Sequence, residues 1–409
     1  MNPPGDQGKR TGDTVGKPNL MVYVGDHSAD IFTARVFARL KQYLPDLHIW
    51  GVGGTKMKES GMELLYDSSD FAVLGIFQVV HKLAFFFKMR QHLLDEIARR
   101  KPDLILLVDN GGFNVQFANA IRKINKDVPI YYFISPQIWG SRPWRINAMK
   151  SLTKVLTIFP FEPPIYKAKG IAATFVGNTA AGTMTPPEQL PSKEDLCAKY
   201  GLDPERPIIT VFPGSRKQEV RSFMPVLLDA IEMMHTKRPE VQFCISRSTI
   251  KAGAIIEEAF KKVQGKLKGA VLVEQPDTLW AVKASKLAWV KSGTSTLEVA
   301  MLGKPMIIYY RGPWPDFLLV MAFKTVKNVG MPNILAGKTL IPELIQLDCR
   351  AKLLVRYSLD LFDVPAKYAE IETQLAQIRH AVGSEDFVEN TARELVAVLE
   401  NPALCQSKS

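Results

Sequence analysis

The run LILLV at residues 104–108 constrains the fold more than any other stretch. Five consecutive aliphatic residues leave no polar side to face water. A strand of this kind is buried on both faces, as in a parallel sheet covered by helices. It ends at Asp109 and the turn Asn110-Gly111-Gly112, with Phe113 and Asn114 following. Other short strand-forming runs follow the same grammar. They lie at 20–24, 47–52, 130–134, 155–159 and 174–176, and again at 208–212, 241–245, 271–273, 287–290 and 306–310. Strand, polar turn and helix in alternation predict a doubly wound α/β architecture. At 409 residues the chain exceeds one ordinary core, so two domains are expected. The expected division is a disordered tail over 1–17, a Rossmann-like domain over 18–185, a second over 186–364 and C-terminal helices over 365–409. The segment TMTPPEQLPSK at 183–193 holds three prolines and reads as the linker. Residues 365–401 read as two amphipathic helices divided near Gly383.

The formal net charge of +11 suits an anionic partner: phosphate esters, nucleic acid or an acidic membrane surface. The four cysteines, Cys197, Cys244, Cys349 and Cys405, form no C-x-x-C pair. They indicate neither a zinc site nor a disulfide framework, and a reducing compartment fits them best. Residues 1–17 lack the apolar core of a signal peptide, and no stretch has the length and lack of charge to span a bilayer. Residues 74–94 are apolar on almost every side, yet His81, Lys82, Lys88, Arg90 and His92 interrupt them. Such a stretch is either a buried helix or an interfacial one, with Phe85, Phe86 and Phe87 dipping into lipid. Three successive helical residues cannot all face one core.

In doubly wound sheets ligands bind beyond the carboxyl ends of the strands. The first such turn is GDHSAD at 25–30, which offers Asp26, His27 and Ser28. Ser28 also reads as a helix N-cap, and His27 as a possible base or as solvated surface. Asp109 is placed for proton abstraction, or simply to form its turn. In the second half, Gly214-Ser215-Arg216 opens a helix near Gln218, and Arg216 can fork onto phosphate oxygens. Ser292-Gly293-Thr294 form a tight turn before a short helix over 295–302, with free N–H groups for an anion. Gly293 lets backbone approach a phosphate closely. Glu298 can take a ribose diol, or Ser295-x-x-Glu298 can be a capping box. Residues 328–346 place Asn333 in a turn and Glu343 in a helix. The first βα turn lacks G-x-G-x-x-G, and no complete P-loop signature G-x-x-x-x-G-K-[ST] is present. Oxidoreductase and P-loop kinase readings therefore drop. A donor held on one wall and an acceptor activated on the other is the logic of a group-transfer enzyme.

From about residue 20 to its end the chain resembles the lipid-A-disaccharide synthase family. The anchors are GDHSAD at 25–30, GVGGTKM at 51–57, LGIFQVV at 74–80, KPDLILLVD at 101–109 and SPQIWGSRPWR at 135–145. FPGSRKQEV at 212–220, SGTSTLE at 292–298 and PNILAGKTLIPELIQ at 332–346 continue the match. The resemblance implies two Rossmann-like domains around a cleft (the GT-B class) and condensation of UDP-2,3-diacylglucosamine with 2,3-diacylglucosamine 1-phosphate. The product would be a β-1,6 disaccharide, with UDP leaving and inversion at the sugar. It implies Asp109 as general base, Asp26 and Ser28 on the acceptor side, and Gly214, Ser215 and Arg216 at the diphosphate. Ser292, Gly293, Thr294, Glu298 and Asn333 would sit at the nucleotide. It implies no metal, no cofactor and no nucleic-acid partner. It further implies a cytoplasmic protein held peripherally on the inner membrane, and a possible homodimer through its C-terminal segment. Asp26, Ala29, Ser141 and Asn178 depart from the family pattern. The alternatives are a related enzyme moving another UDP-sugar to a different acceptor, and a non-catalytic membrane-surface protein.

Overall fold

A computed structural model describes residues 17–68, 76–140, 143–247, 250–262, 264–265, 267, 269–323, 325–383 and 385–401. Residues 1–16 of the expected tail lie outside the described residues, as do Leu74, Gly75, Ser141, Arg142 and Cys405. The first half forms β1 (Asn19–Val24), β2 (His48–Gly53), β3 (Glu63–Asp67), β4 (Leu104–Val108), β5 (Ile130–Phe133), β6 (Lys154–Thr157) and β7 (Ala172–Phe175). The second half forms β8 (Ile208–Phe212), β9 (Gln242–Arg247), β10 (Ala270–Glu274), β11 (Leu287–Lys291), β12 (Met306–Tyr310) and β13 (Glu343–Ile345). The sheet orders are β3-β2-β1-β4-β5-β6-β7 and β10-β9-β8-β11-β12-β13. Neighbouring strands are parallel throughout.

In each sheet the winding direction reverses beside the first strand, between β1 and β4 and between β8 and β11. A switch point of this kind leaves a crevice beyond the carboxyl ends, because the flanking helices diverge to opposite faces. All four turns singled out in the sequence flank these two crevices. GDHSAD follows β1, Asp109 follows β4, Gly214–Arg216 follows β8, and Ser292–Glu298 follows β11.

The two halves meet through the loops that leave β5 and β6. Trp139 and Phe159 pack into the core of the second half. The Thr325 hydroxyl donates to the Trp139 carbonyl, and the Thr325 N–H donates to that of Gly140 at 3.4 Å. Thr325 lies beyond the carboxyl end of β12. The carboxyl edges of the two sheets therefore face one another at this contact, and both crevices open into one cleft. The helix Phe387–Glu400 crosses back to the first half. Phe387 and Leu395 join a core there with Val36 and Leu40, and Lys154 pairs with Glu394 at 2.7 Å.

Three local expectations are corrected. Strands β3 and β13 were not foreseen. Glu343 opens β13 rather than lying in a helix, and Asn333 lies in the helix Met331–Ala336 rather than in a turn. The reason is tertiary: the Glu343 carboxylate accepts from Val329 N, Gly330 N and Asn333 Nδ2 at 2.8–2.9 Å. That network fixes both residues regardless of local propensity.

Gly51 sits within β2 at φ 134°, and a Cβ there would come within 2.1 Å of the Val22 carbonyl oxygen. Two backbones approach as only glycine permits. Gly51→Ala should destabilise the chain by about 3 kcal/mol or more, combining backbone strain with overpacking. Urea unfolding measures this, and a change within about 0.5 kcal/mol would contradict the close approach.

Candidate active site

The first wall is built on a strained turn. Asp109 and Asn110 stand at φ 49° and 45°, in the left-handed region. Each such non-glycine residue costs roughly 1–2 kcal/mol. The turn is held from three sides. Asn114 Nδ2 donates to the Val108 and Asp109 carbonyls at 3.0 and 2.8 Å, and the Tyr132 hydroxyl also donates to the Asp109 carbonyl. The Asp109 N–H donates to Phe133 at 3.1 Å. The strain is thereby spent on presenting one carboxyl group. Burial raises the pKa of Asp109, the Asn110 N–H partly opposes this, and the nearby charge of Asp26 raises it further. A carboxylate displaced upward is a stronger base toward a hydroxyl.

Asp26 is itself the N-cap of the helix His27–Tyr43, accepting from the Ser28 N–H at 2.8 Å. Ser28 is therefore a helical residue, not the cap, and its side chain is exposed. The side chain of His27 lies outside what is described. Asp30, from the same motif, is buried and accepts from Gly54 N, Lys56 N and Met57 N at 2.9–3.1 Å. It caps the helix Thr55–Glu59, which explains physically why the motifs at 25–30 and 51–57 occur together. Asn178 likewise caps a helix, accepting from Ala180 N and Ala181 N.

An aromatic track leads from the surface to this turn. Phe87 and Phe85 are exposed, and Phe86 packs on Phe113 with ring centroids 6.4 Å apart. Phe113 then stacks on Tyr23 at 4.6 Å. Phe113 lies four residues beyond Asp109 in the first turn of the helix Gly111–Ile124.

The second wall is held by charge. Gly214 stands at φ 108°, and a Cβ there would meet Glu219 at 3.1 Å. The Glu219 carboxylate accepts from Ser215 N and Arg216 N, each at 3.3 Å, and pairs with Lys291 at 3.0 Å. Lys291 draws the Glu219 carboxyl below its usual range despite burial. Glu219 and Lys291 thus link the two turns of this wall. Sequence reasoning missed both residues, although Glu three residues after Arg216 was a legible N-terminal signal.

A Cβ on Gly293 would meet only the Lys291 ammonium, at 3.8 Å, so there is open space beside it. The N-cap of the helix Ser295–Met301 is Thr294, without a side-chain cap. The capping-box reading of Ser295 therefore fails. The Ser295 hydroxyl instead hydrogen-bonds the half-buried Glu298 carboxyl, whose pKa burial pushes upward. Asn333 is buried, and both ends of its amide are used internally. Its Oδ1 accepts from Leu340 N and Ile341 N, and its Nδ2 donates to Ile341 O and Glu343. It shapes the loop against which Ser292 Oγ donates to Val329 O at 3.4 Å.

Two doubly wound domains whose carboxyl edges face one cleft define the GT-B fold. The fold matches UDP-GlcNAc 2-epimerase from Neisseria meningitidis, bound to UDP-GlcNAc, at TM-score 0.56 and 14% identity, covering 94% of this chain and 99% of that one. It also matches CalG4, the calicheamicin glycosyltransferase, at TM-score 0.59 and 13% identity, covering 95% and 99%. The lipid-A-disaccharide synthetase family model matches residues 20–398. Lipid-A-disaccharide synthase 1 of Legionella pneumophila (strain Philadelphia 1) is 31% identical over 366 residues, covering 89% of this chain and 93% of that one. The synthase of Geobacter sulfurreducens is 29% identical over 381 residues, covering 93% and 97%. The chain belongs to the lipid-A-disaccharide synthetase family.

The strut between the domains titrates. The Trp139 indole donates to the buried Glu162 carboxyl at 2.8 Å, and Phe159 N adds a second bond at 3.0 Å. Burial outweighs these donors and pushes the Glu162 pKa from 4.5 up to about 7. Below pH about 4.5 folded and unfolded chains both hold the proton. Between 4.5 and about 7 only the folded chain holds it, so this stabilisation is lost as pH rises. Relative to Glu162→Gln, wild-type stability should fall by on the order of 3 kcal/mol across that window. Urea midpoints at several pH values measure it, and parallel curves for the two proteins would contradict it.

Proposed function

We propose that the chain condenses UDP-2,3-diacylglucosamine with 2,3-diacylglucosamine 1-phosphate to give the β-1,6-linked disaccharide 1-phosphate and UDP. The observation that carries this reading is the placement of all four polar turns at two switch points that open into one cleft. Asp109 accepts the proton of the acceptor 6-hydroxyl as its oxygen attacks the donor anomeric carbon. The bond from that carbon to the diphosphate breaks on the opposite face, which inverts the centre. Charge developing on the diphosphate meets the turn at Gly214–Arg216 and the Arg216 guanidinium. Ser292, Gly293 and Thr294 shape the nucleotide pocket, Glu298 takes the ribose hydroxyls, and Asn333 fixes the loop behind them. Asp26 and Ser28 line the acceptor side. Among the described residues no helix is long and apolar enough to cross a membrane. The exposed Phe85 and Phe87, with the aromatic track toward Asp109, support acceptor entry from a membrane surface. This reading places the protein peripherally on the cytoplasmic side of the inner membrane.

Asp109→Asn keeps the turn-forming capacity but cannot accept the proton. It should lower kcat by about 10²–10⁴-fold with UDP affinity and melting temperature little changed. Near-normal turnover would remove Asp109 from the base role. Glu298→Ala should weaken UDP binding in calorimetry by about 1–3 kcal/mol. Unchanged UDP affinity would assign Glu298 a purely structural role.

A further inference from the structure

Among the described residues, nine large hydrophobic side chains are exposed, and three of them share one helix of the second domain. That helix is Trp314–Phe323, with the sequence WPDFLLVMAF. Its only charged residue is Asp316. A helix apolar on every side belongs in a core or in lipid. Here Trp314 is 50% exposed, Leu318 60% and Met321 47%. The spacing i, i+4, i+7 puts all three on one face. Phe317 is half-buried and meets Trp314 edge to face, with centroids 5.8 Å apart.

We propose that this face docks on an anionic lipid bilayer, as a second membrane contact distinct from Phe85 and Phe87. The charges around the helix fit such a surface. Residues 310–338 carry Arg311, Lys324, Lys327 and Lys338 against the single Asp316, with Arg311 donating to the Cys349 carbonyl and Lys338 paired with Glu370 at 3.9 Å. Cations flanking an apolar helix attract anionic headgroups, and a Trp at the helix end suits the lipid–water boundary. The same charge disfavours a second copy of this chain as the occupant, since the chain carries +11 overall.

The position of the helix adds to the argument. It leaves the carboxyl side of β12 and ends just before Thr325, whose contacts with Trp139 and Gly140 join the two domains at the cleft. The first-domain apolar face also lies on the cleft side of its sheet, because Phe85 packs against Tyr66 near the carboxyl end of β3. One bilayer contacting both faces would bridge the two domains and present lipid-linked donor and acceptor to the same cleft. This step rests on the lipid-substrate reading above. The membrane contact itself is read out without turnover.

The test uses the full chain and vesicles of phosphatidylcholine, with or without phosphatidylglycerol. The double variant Leu318→Ser/Met321→Ser should lose about tenfold or more in partitioning to the anionic vesicles. Phe85→Ser/Phe87→Ser should lose a comparable factor, and the quadruple variant should lose more than either. Circular dichroism melting verifies that each variant is folded. Trp314 supplies a second readout that needs no serine variant. Brominated lipid should quench wild-type tryptophan fluorescence, and the component removed by Trp314→Phe should account for part of that quenching. A folded double variant with wild-type partitioning would overturn the proposal, as would the absence of any Trp314-dependent quenching. Conversion of a wild-type dimer to a monomer by the double variant, with vesicle binding unchanged, would reassign the face to contacts between copies. Trp314-dependent vesicle binding by a chain that forms no disaccharide would overturn the functional reading and leave this one standing.

Discussion

The turn at Asp109 and Asn110 is the constraint on which the first wall of the cleft depends. Two successive non-glycine residues at positive φ do not persist without support. Support comes from elements distant in sequence. Tyr132 reaches from β5, which is locked to β4 by the pairing of Val108 with Phe133. Asn114 reaches back from the following helix. On the other flank, Gly25 after β1 leaves just enough room, since a Cβ there would fall 2.5 Å from Asn110 Nδ2. The parallel sheet acts here as a clamp. Its register fixes where the carboxyl group stands, and its burial raises that group's basicity.

The second wall uses a different device. Its backbone is less strained, and its geometry is set by internal anions. Glu219 ties the turn after β8 to Lys291 at the end of β11, and Glu343 ties the loop at Val329 and Gly330 to β13. The N–H groups of Ser215 and Arg216 are thus engaged by the Glu219 carboxylate, which fixes the shape of this turn. The two walls are held together by Trp139, which is buried between the domains and anchored on Glu162.

The central strands were legible because uninterrupted aliphatic runs admit few other structures. The turns were legible because they follow those runs. Of the missed strands, β13 has only three residues and β3 is compositionally mixed, and both lie at sheet edges. The segment around Glu343 misled for a physical reason: Pro-Glu-Leu-Ile-Gln favours a helix locally, while distant N–H groups claim the carboxylate. Asp30 and Trp139 lie in motifs that mark the family, yet their side chains serve packing and capping. Sequence alone does not separate a residue that touches substrate from one that holds its neighbour in place. Glu219 and Lys291, 72 positions apart in sequence, became visible as a pair only once β8 and β11 were seen side by side.

The most direct test of the central claim is analysis of the lipid product. Purified chain is incubated with UDP-2,3-diacylglucosamine and 2,3-diacylglucosamine 1-phosphate, and the lipid is examined by mass spectrometry and proton NMR. The account predicts a tetraacylated disaccharide 1-phosphate with a β anomeric coupling at the new linkage, formed in equal amount with UDP. UDP release without a disaccharide, or an α linkage, would contradict direct attack by an acceptor hydroxyl activated at Asp109.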